Sequence, residues 1–136
     1  MRGAILYGPR DVRFEERDEP TIIEPTDAII RLAATCVCGS DLWPYRGIAP
    51  ITEPTPMGHE YCGIVEEVGR DVAAVKPGQF VIGSFFASDN TCPHCRHGYQ
   101  TSCQRFEPVV GAQAPQCASP SRTARSSRLA TSRIPT

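Results

Sequence analysis

At 136 residues and a net charge of −1, the chain has room for one domain of ordinary size and no electrostatic reason to bind nucleic acid or an anionic membrane. Its 40% hydrophobic and 21% charged content suits a soluble globular protein, and no apolar run approaches the roughly 18–20 residues that span a bilayer. The 13 prolines and 11 glycines favour short strands and many turns over long helices.

In chain order, Ala4–Tyr7 is a short apolar run and Val12–Arg17 alternates weakly. Between Met1 and Val12 there are charges and a Gly-Pro pair where a secretory signal has an apolar stretch, so a cytoplasmic, reducing location is expected. The seven cysteines then read as metal ligands or buried thiols, not disulfides. Asp27–Ala34 (DAIIRLAA) predicts a strand after the proline-marked turn at Glu24–Thr26. Ser40–Tyr45 predicts one helical turn with Ser40 or Asp41 near its cap, kept short by Pro44 and Gly47. Ile48–Met57, with three prolines, is a loop. Cys62–Val68 and Gln79–Phe86 predict strands joined through Lys76-Pro77-Gly78. From Ala87 to Cys103 the chain is polar, rich in Cys and His, and without an apolar pattern. Such a segment cannot build a core and needs another source of order, such as a metal.

The strongest chemical signal lies in that segment. Cys92-x2-Cys95-x7-Cys103, with Asp89 three residues ahead, supplies four ligands that can wrap one tetrahedral ion. Asp89 is the weak member, since closed structural sites prefer sulfur or imidazole, and His94 or His97 could take its place. The competing reading is three unrelated loop cysteines. The second signal is Gly58-His59-Glu60 with Cys38 upstream. All three side chains can ligate zinc, and catalytic zinc takes fewer protein ligands so that a place stays open. Taken alone, a histidine beside a glutamate is more often an ordinary surface or core pair.

The surroundings change that balance. Gly58-His59-Glu60-x2-Gly63-x5-Gly69-x2-Val72 resembles the signature of zinc-containing alcohol dehydrogenases, of the medium-chain type. Cys38-Gly39-Ser40-Asp41 resembles that family's catalytic cysteine motif, and Val75-Lys76-Pro77-Gly78-Gln79-Phe80-Val81 its V-K-P-G-D-x-V turn. The cysteine lobe is similar to its structural zinc lobe. The resemblance covers residues 1 to about 114.

The resemblance implies a catalytic domain built on a GroES-like β-barrel, followed in the family by a Rossmann domain that binds NAD or NADP. It implies zinc as the Lewis acid in alcohol oxidation or carbonyl reduction by hydride transfer, with a small-molecule alcohol or carbonyl substrate. Cys38 and His59 become zinc ligands, and Glu60 a third ligand or one that exchanges with water. Ser40 takes the alcohol proton, and Asp41 orients the ligand histidine. Asp89, Cys92, Cys95 and Cys103 hold the structural zinc. A homo-oligomer is possible in full-length relatives. Two departures stand out. Asp89 replaces the usual first lobe cysteine, and Trp43 stands where many members carry a proton-relaying histidine, a role indole cannot fill. Trp43 and Tyr45 line the substrate pocket, or pack in the core or at its rim. Cys36 and Cys62 match no ligand position and are expected to be small buried residues.

Residues 115–136 (PQCASPSRTARSSRLATSRIPT) read differently: four arginines, no acid and little apolar content, against a net −5 for residues 1–114. They are expected to be disordered. A single lysine among 14 basic residues suggests a GC-rich gene and an out-of-frame tail, with a true basic tail as the alternative. The expectation is therefore a mainly β chain: an incomplete GroES-like barrel over residues 1–114 with a zinc lobe at 87–104, the Rossmann domain absent, and no meaningful turnover in isolation. A non-catalytic zinc-binding module and a thiol redox protein are the other classes that these residues allow.

Overall fold

The structure is a computed structural model that describes residues 1–120. Strand β1 (Arg2–Gly8) turns back through Arg10, whose φ is 61°, into β2 (Asp11–Glu16). Strand β3 (Asp27–Thr35) leads to a 3-10 turn at Gly39–Asp41 and the one-turn helix α1 (Leu42–Tyr45). Then come β4 (Thr55–Pro56), β5 (Tyr61–Val68), β6 (Phe80–Gly83) and β7 (Phe86–Ala87). Helix α2 (Pro93–Arg96), a 3-10 turn at Gln100–Ser102, β8 (Glu107–Pro108) and β9 (Gln116–Pro120) complete the order.

The strands form three antiparallel sheets, in the orders β2-β1-β4, β6-β5-β3-β9 and β7-β8. The mainly β expectation holds. The described residues form no closed barrel, but the lead-in to β9 stitches two sheets together. Ala4 N donates to Gln113 O at 2.9 Å and Gln113 N to Met57 O at 2.9 Å, while on the other side Leu32 N donates to Pro115 O at 2.8 Å. No helix among the described residues is long and apolar enough to cross a membrane.

Alternation builds the core. Along β5, Tyr61, Gly63 and Val65 are buried while Glu66 and Glu67 are exposed. Ala28, Ile29 and Ile30 of β3 are all buried because β3 lies between β5 and β9 in the middle of its sheet. Ile30 and Tyr61 pack with Val109, Ala112 and Cys117, each at 7% exposure or less. Full burial of a side chain such as Ile30 contributes about 1.5–3 kcal/mol.

Two sequence expectations are corrected here. Gln79–Phe86 is not one strand. The chain leaves β5 at Gly83, against the Tyr61 ring, and Phe86 pairs instead with Pro108 in the small ribbon. Nor does disorder begin at residue 115. Gln116–Pro120 pairs residue by residue with β3, from Arg31↔Gln116 to Asp27↔Pro120. The physical reason is that a free β3 edge offers backbone partners to any extended segment, while Cys117, small and 1% exposed, fills the core position opposite Ile30. The structured region therefore runs past 114. The remainder of the tail, with its expected disorder and out-of-frame origin, lies outside the described residues.

Candidate metal centres

The register of β3 against β5 creates the first centre. The ladder ends at Thr35↔Tyr61, so the residues just after β3 face those just before β5. Cys38, His59 and Glu60 meet there, with one ligand atom from each lying within 4.8 Å of the others. Gly58 has φ +95°, a conformation that L side chains rarely adopt, and a Cβ there would also strike the Gln113 backbone. That turn aims the next two residues at Cys38.

Asp41 organises both sides. It is buried, and its Oδ2 accepts from Cys38 N at 2.8 Å; Cys38 occupies the cap position of the 3-10 turn, and Asp41 that of α1, as the sequence leads one to expect. Its Oδ1 lies 3.4 Å from His59 Nδ1. A proton held on Nδ1 toward that carboxylate leaves Nε2 with its lone pair free to ligate. Nε2 lies 3.2 Å from Ser40 Oγ. The Phe85 ring meets the imidazole edge-on at 6.5 Å between centroids. Trp43 is exposed and Tyr45 half-buried.

Cys36, which sequence reasoning placed among buried structural residues, is exposed and adjoins this centre. Its Sγ donates to Glu60 Oε2 at 2.8 Å. That contact, followed by one from the Cys38 thiol and the His59 charge, holds the Glu60 carboxyl below its ordinary range, while the same carboxylate pushes the Cys36 thiol up. The available signal was spacing. In an extended segment, residues two apart share a side, and Cys38 has φ −81° and ψ 155°. Cys62 is half-buried.

The second centre brings together Asp89, Cys92, Cys95 and Cys103, again with ligand atoms within 4.8 Å of one another. All three cysteines are buried and cluster only with each other, so the core of this lobe consists of ligand atoms. Cys92 and Cys95 flank the start of α2 with their sulfurs 3.5 Å apart. Backbone N–H groups of Gln104 and Cys95 draw the Cys92 thiol down to about 7, and burial pushes Cys95 up to about 12. Asp89 accepts from Cys92 N at 3.0 Å and Thr91 N at 2.9 Å, which keeps its carboxyl well below the usual range and ionised. His94 and His97 turn away: each Nδ1 meets a backbone carbonyl oxygen, of Ser102 and Pro93 respectively, at 2.7 Å. Among the described residues Asp89, and neither histidine, completes the group of four donors. Three thiols and a carboxylate in a lobe without another core suit zinc, and so does the cysteine, histidine and carboxylate set of the first centre.

The profile of the alcohol dehydrogenase GroES-like domain matches residues 24–126. The chain belongs to that family. Zinc-type alcohol dehydrogenase B of Aspergillus flavus is 35% identical to this GroES-like domain over 119 residues, which is 84% of the chain and 28% of that relative. Among solved structures, the alcohol dehydrogenase of Thermus sp. ATN1 superposes with a TM-score of 0.84 at 32% identity, over 90% of this chain and 38% of its own. The alcohol dehydrogenase of the archaeon Aeropyrum pernix does so with a TM-score of 0.78 at 29% identity, over 90% and 38%. The chain thus spans well under half the length of these relatives.

Proposed function

We propose that this chain carries the zinc-bearing, substrate-activating part of an NAD(P)-linked alcohol dehydrogenase that interconverts small alcohols and carbonyl compounds. One observation carries the reading: Cys38, His59 and Glu60 converge beside Ser40, whose hydroxyl lies 3.2 Å from His59 Nε2. Zinc, when bound by these three donors, supplies Lewis acidity. Asp41 holds the His59 ring and the Cys38 backbone in place, and Ser40 Oγ is the group positioned to accept the alcohol proton. The lobe of Asp89, Cys92, Cys95 and Cys103 holds a structural zinc. A reducing cytoplasm suits the seven free cysteines. Among the described residues no strand–helix–strand unit offers a dinucleotide site, so the chain alone is expected to bind zinc without turning over.

The test is zinc per chain by elemental analysis, together with a steady-state assay with NAD and NADP. Two ions are expected, one lost on changing Cys38 or His59 and the other on changing Cys95 or Cys103. A chain that holds no ion dependent on Cys38 and His59 contradicts the reading.

A further inference from the structure

Cys36 stands outside the three-donor group yet grips one of its members. Its Sγ donates to Glu60 Oε2 at 2.8 Å, while Thr35 Oγ1 and Cys36 N donate to the Glu60 carbonyl oxygen at 2.9 and 3.3 Å. Glu60 is therefore held at its main chain and at its carboxylate by one short stretch of chain. A free glutamate has three torsions to lose on ligation, and a carboxylate already fixed loses fewer. Cys36 itself is not a member of the group whose ligand atoms lie within 4.8 Å of one another.

Resting on the metal centre proposed above, we propose that Cys36 is a positioning residue for it, its thiol keeping the Glu60 carboxylate within reach of Cys38 and His59. Partners that hydrogen-bond a ligating carboxylate tune metal affinity, and their loss typically weakens binding by about 10–100-fold. Glycine or alanine at this position supplies no donor. Serine does.

The experiment is a Co2+ titration of the whole chain, followed by visible absorption. The component of interest is the one abolished by Cys38→Ser and by His59→Ala, and the lobe component reports an intact fold. Cys36→Ala is expected to weaken that component about ten-fold. Cys36→Ser recovers most of the loss. The sulfur-to-cobalt charge-transfer intensity per bound ion stays at the parent value in Cys36→Ala. In a Glu60→Gln background, Cys36→Ala costs nothing further. Unchanged affinity in Cys36→Ala overturns the proposal, as does a loss that persists in the Glu60→Gln background. A drop in charge-transfer intensity makes Cys36 a ligand and overturns it as well. Absence of any Cys38- and His59-dependent Co2+ in the parent removes the metal centre itself, and this role with it.

Discussion

Alanine at Gly63 tests how the sheet fixes the first metal centre. Gly63 of β5 pairs with Leu32 of β3, and a Cβ there would collide with the Arg31 carbonyl oxygen. It would also stand 2.9 Å from that carbonyl's carbon and from Ile30 Cγ2. Carbon atoms in contact sit about 3.5–4.0 Å apart, so the two strands must separate locally by roughly 0.6–1 Å. Overpacking of this kind costs about 1–3 kcal/mol. Because alanine restricts the unfolded chain it returns about 0.4–1 kcal/mol, leaving a net loss of about 0–2.6 kcal/mol, centred near 1.3. The displacement matters more at the site. His59 and Glu60 precede β5 and Cys38 follows β3, so a shift between these strands moves the donors apart, beyond the ~0.5 Å within which such a constellation works. The lobe carries its own donors beside a separate ribbon and should be spared. Urea unfolding and zinc content after dialysis read both effects. Gly63→Ala is expected to unfold at lower urea and to keep one ion of two. An unchanged midpoint with both ions retained refutes the reasoning, and so does loss of the lobe ion alone.

Three further outcomes are expected. Cys95→Ser or Asp89→Ala should remove the lobe ion, with Asp89→Cys restoring it, as elemental analysis will show; His94→Ala and His97→Ala should leave it bound. Asp41→Asn should weaken Co2+ at the Cys38 and His59 centre by about 10–100-fold in a titration, because it loosens the imidazole without removing a ligand. Alkaline stability should fall through two buried acids. Burial pushes the Cys117 thiol from 9.0 up to about 12 and raises the Tyr61 phenol above 10.0. Both are held neutral in the fold, so their stabilisation is complete below those ordinary values and is lost as pH rises through them, at about 1.4 kcal/mol per pH unit for each group. Cys117→Ala should flatten the slope between pH 9 and about 12 in pH-dependent urea melts. Tyr61→Phe should flatten it above 10.

Much of both centres was legible because metal donors are chemically distinctive and their spacing follows from short turns. Cys92-x2-Cys95 brackets one helical turn, and Asp89 reaches the same point through a tight turn at Asn90, whose φ is 54°. Strand β3 was equally legible, since its run of Ala28, Ile29 and Ile30 is buried on both faces. What escaped depended on partners distant in sequence. Cys36 reads as a small buried residue until β5 brings Glu60 opposite it. Strand β9 has no large apolar residue, and its pairing rests on the free edge of β3 and the small buried Cys117. The break after Gly83 depends on the Tyr61 ring lying against it, a contact distant in sequence.

Among the described residues the four-stranded sheet ends on β6 at one side and β9 at the other, and Phe80 and Ile82 stand exposed on β6. Such borders offer unspent N–H and C=O groups to any extended segment that arrives. Folding is first order in protein, whereas edge-to-edge encounter between copies is second order. Dilution therefore slows association without slowing folding, and the yield of dispersed chain becomes a function of concentration. A lysine in place of Phe80 would set like charges against each other at every such encounter, which makes solubility the property most sensitive to that edge.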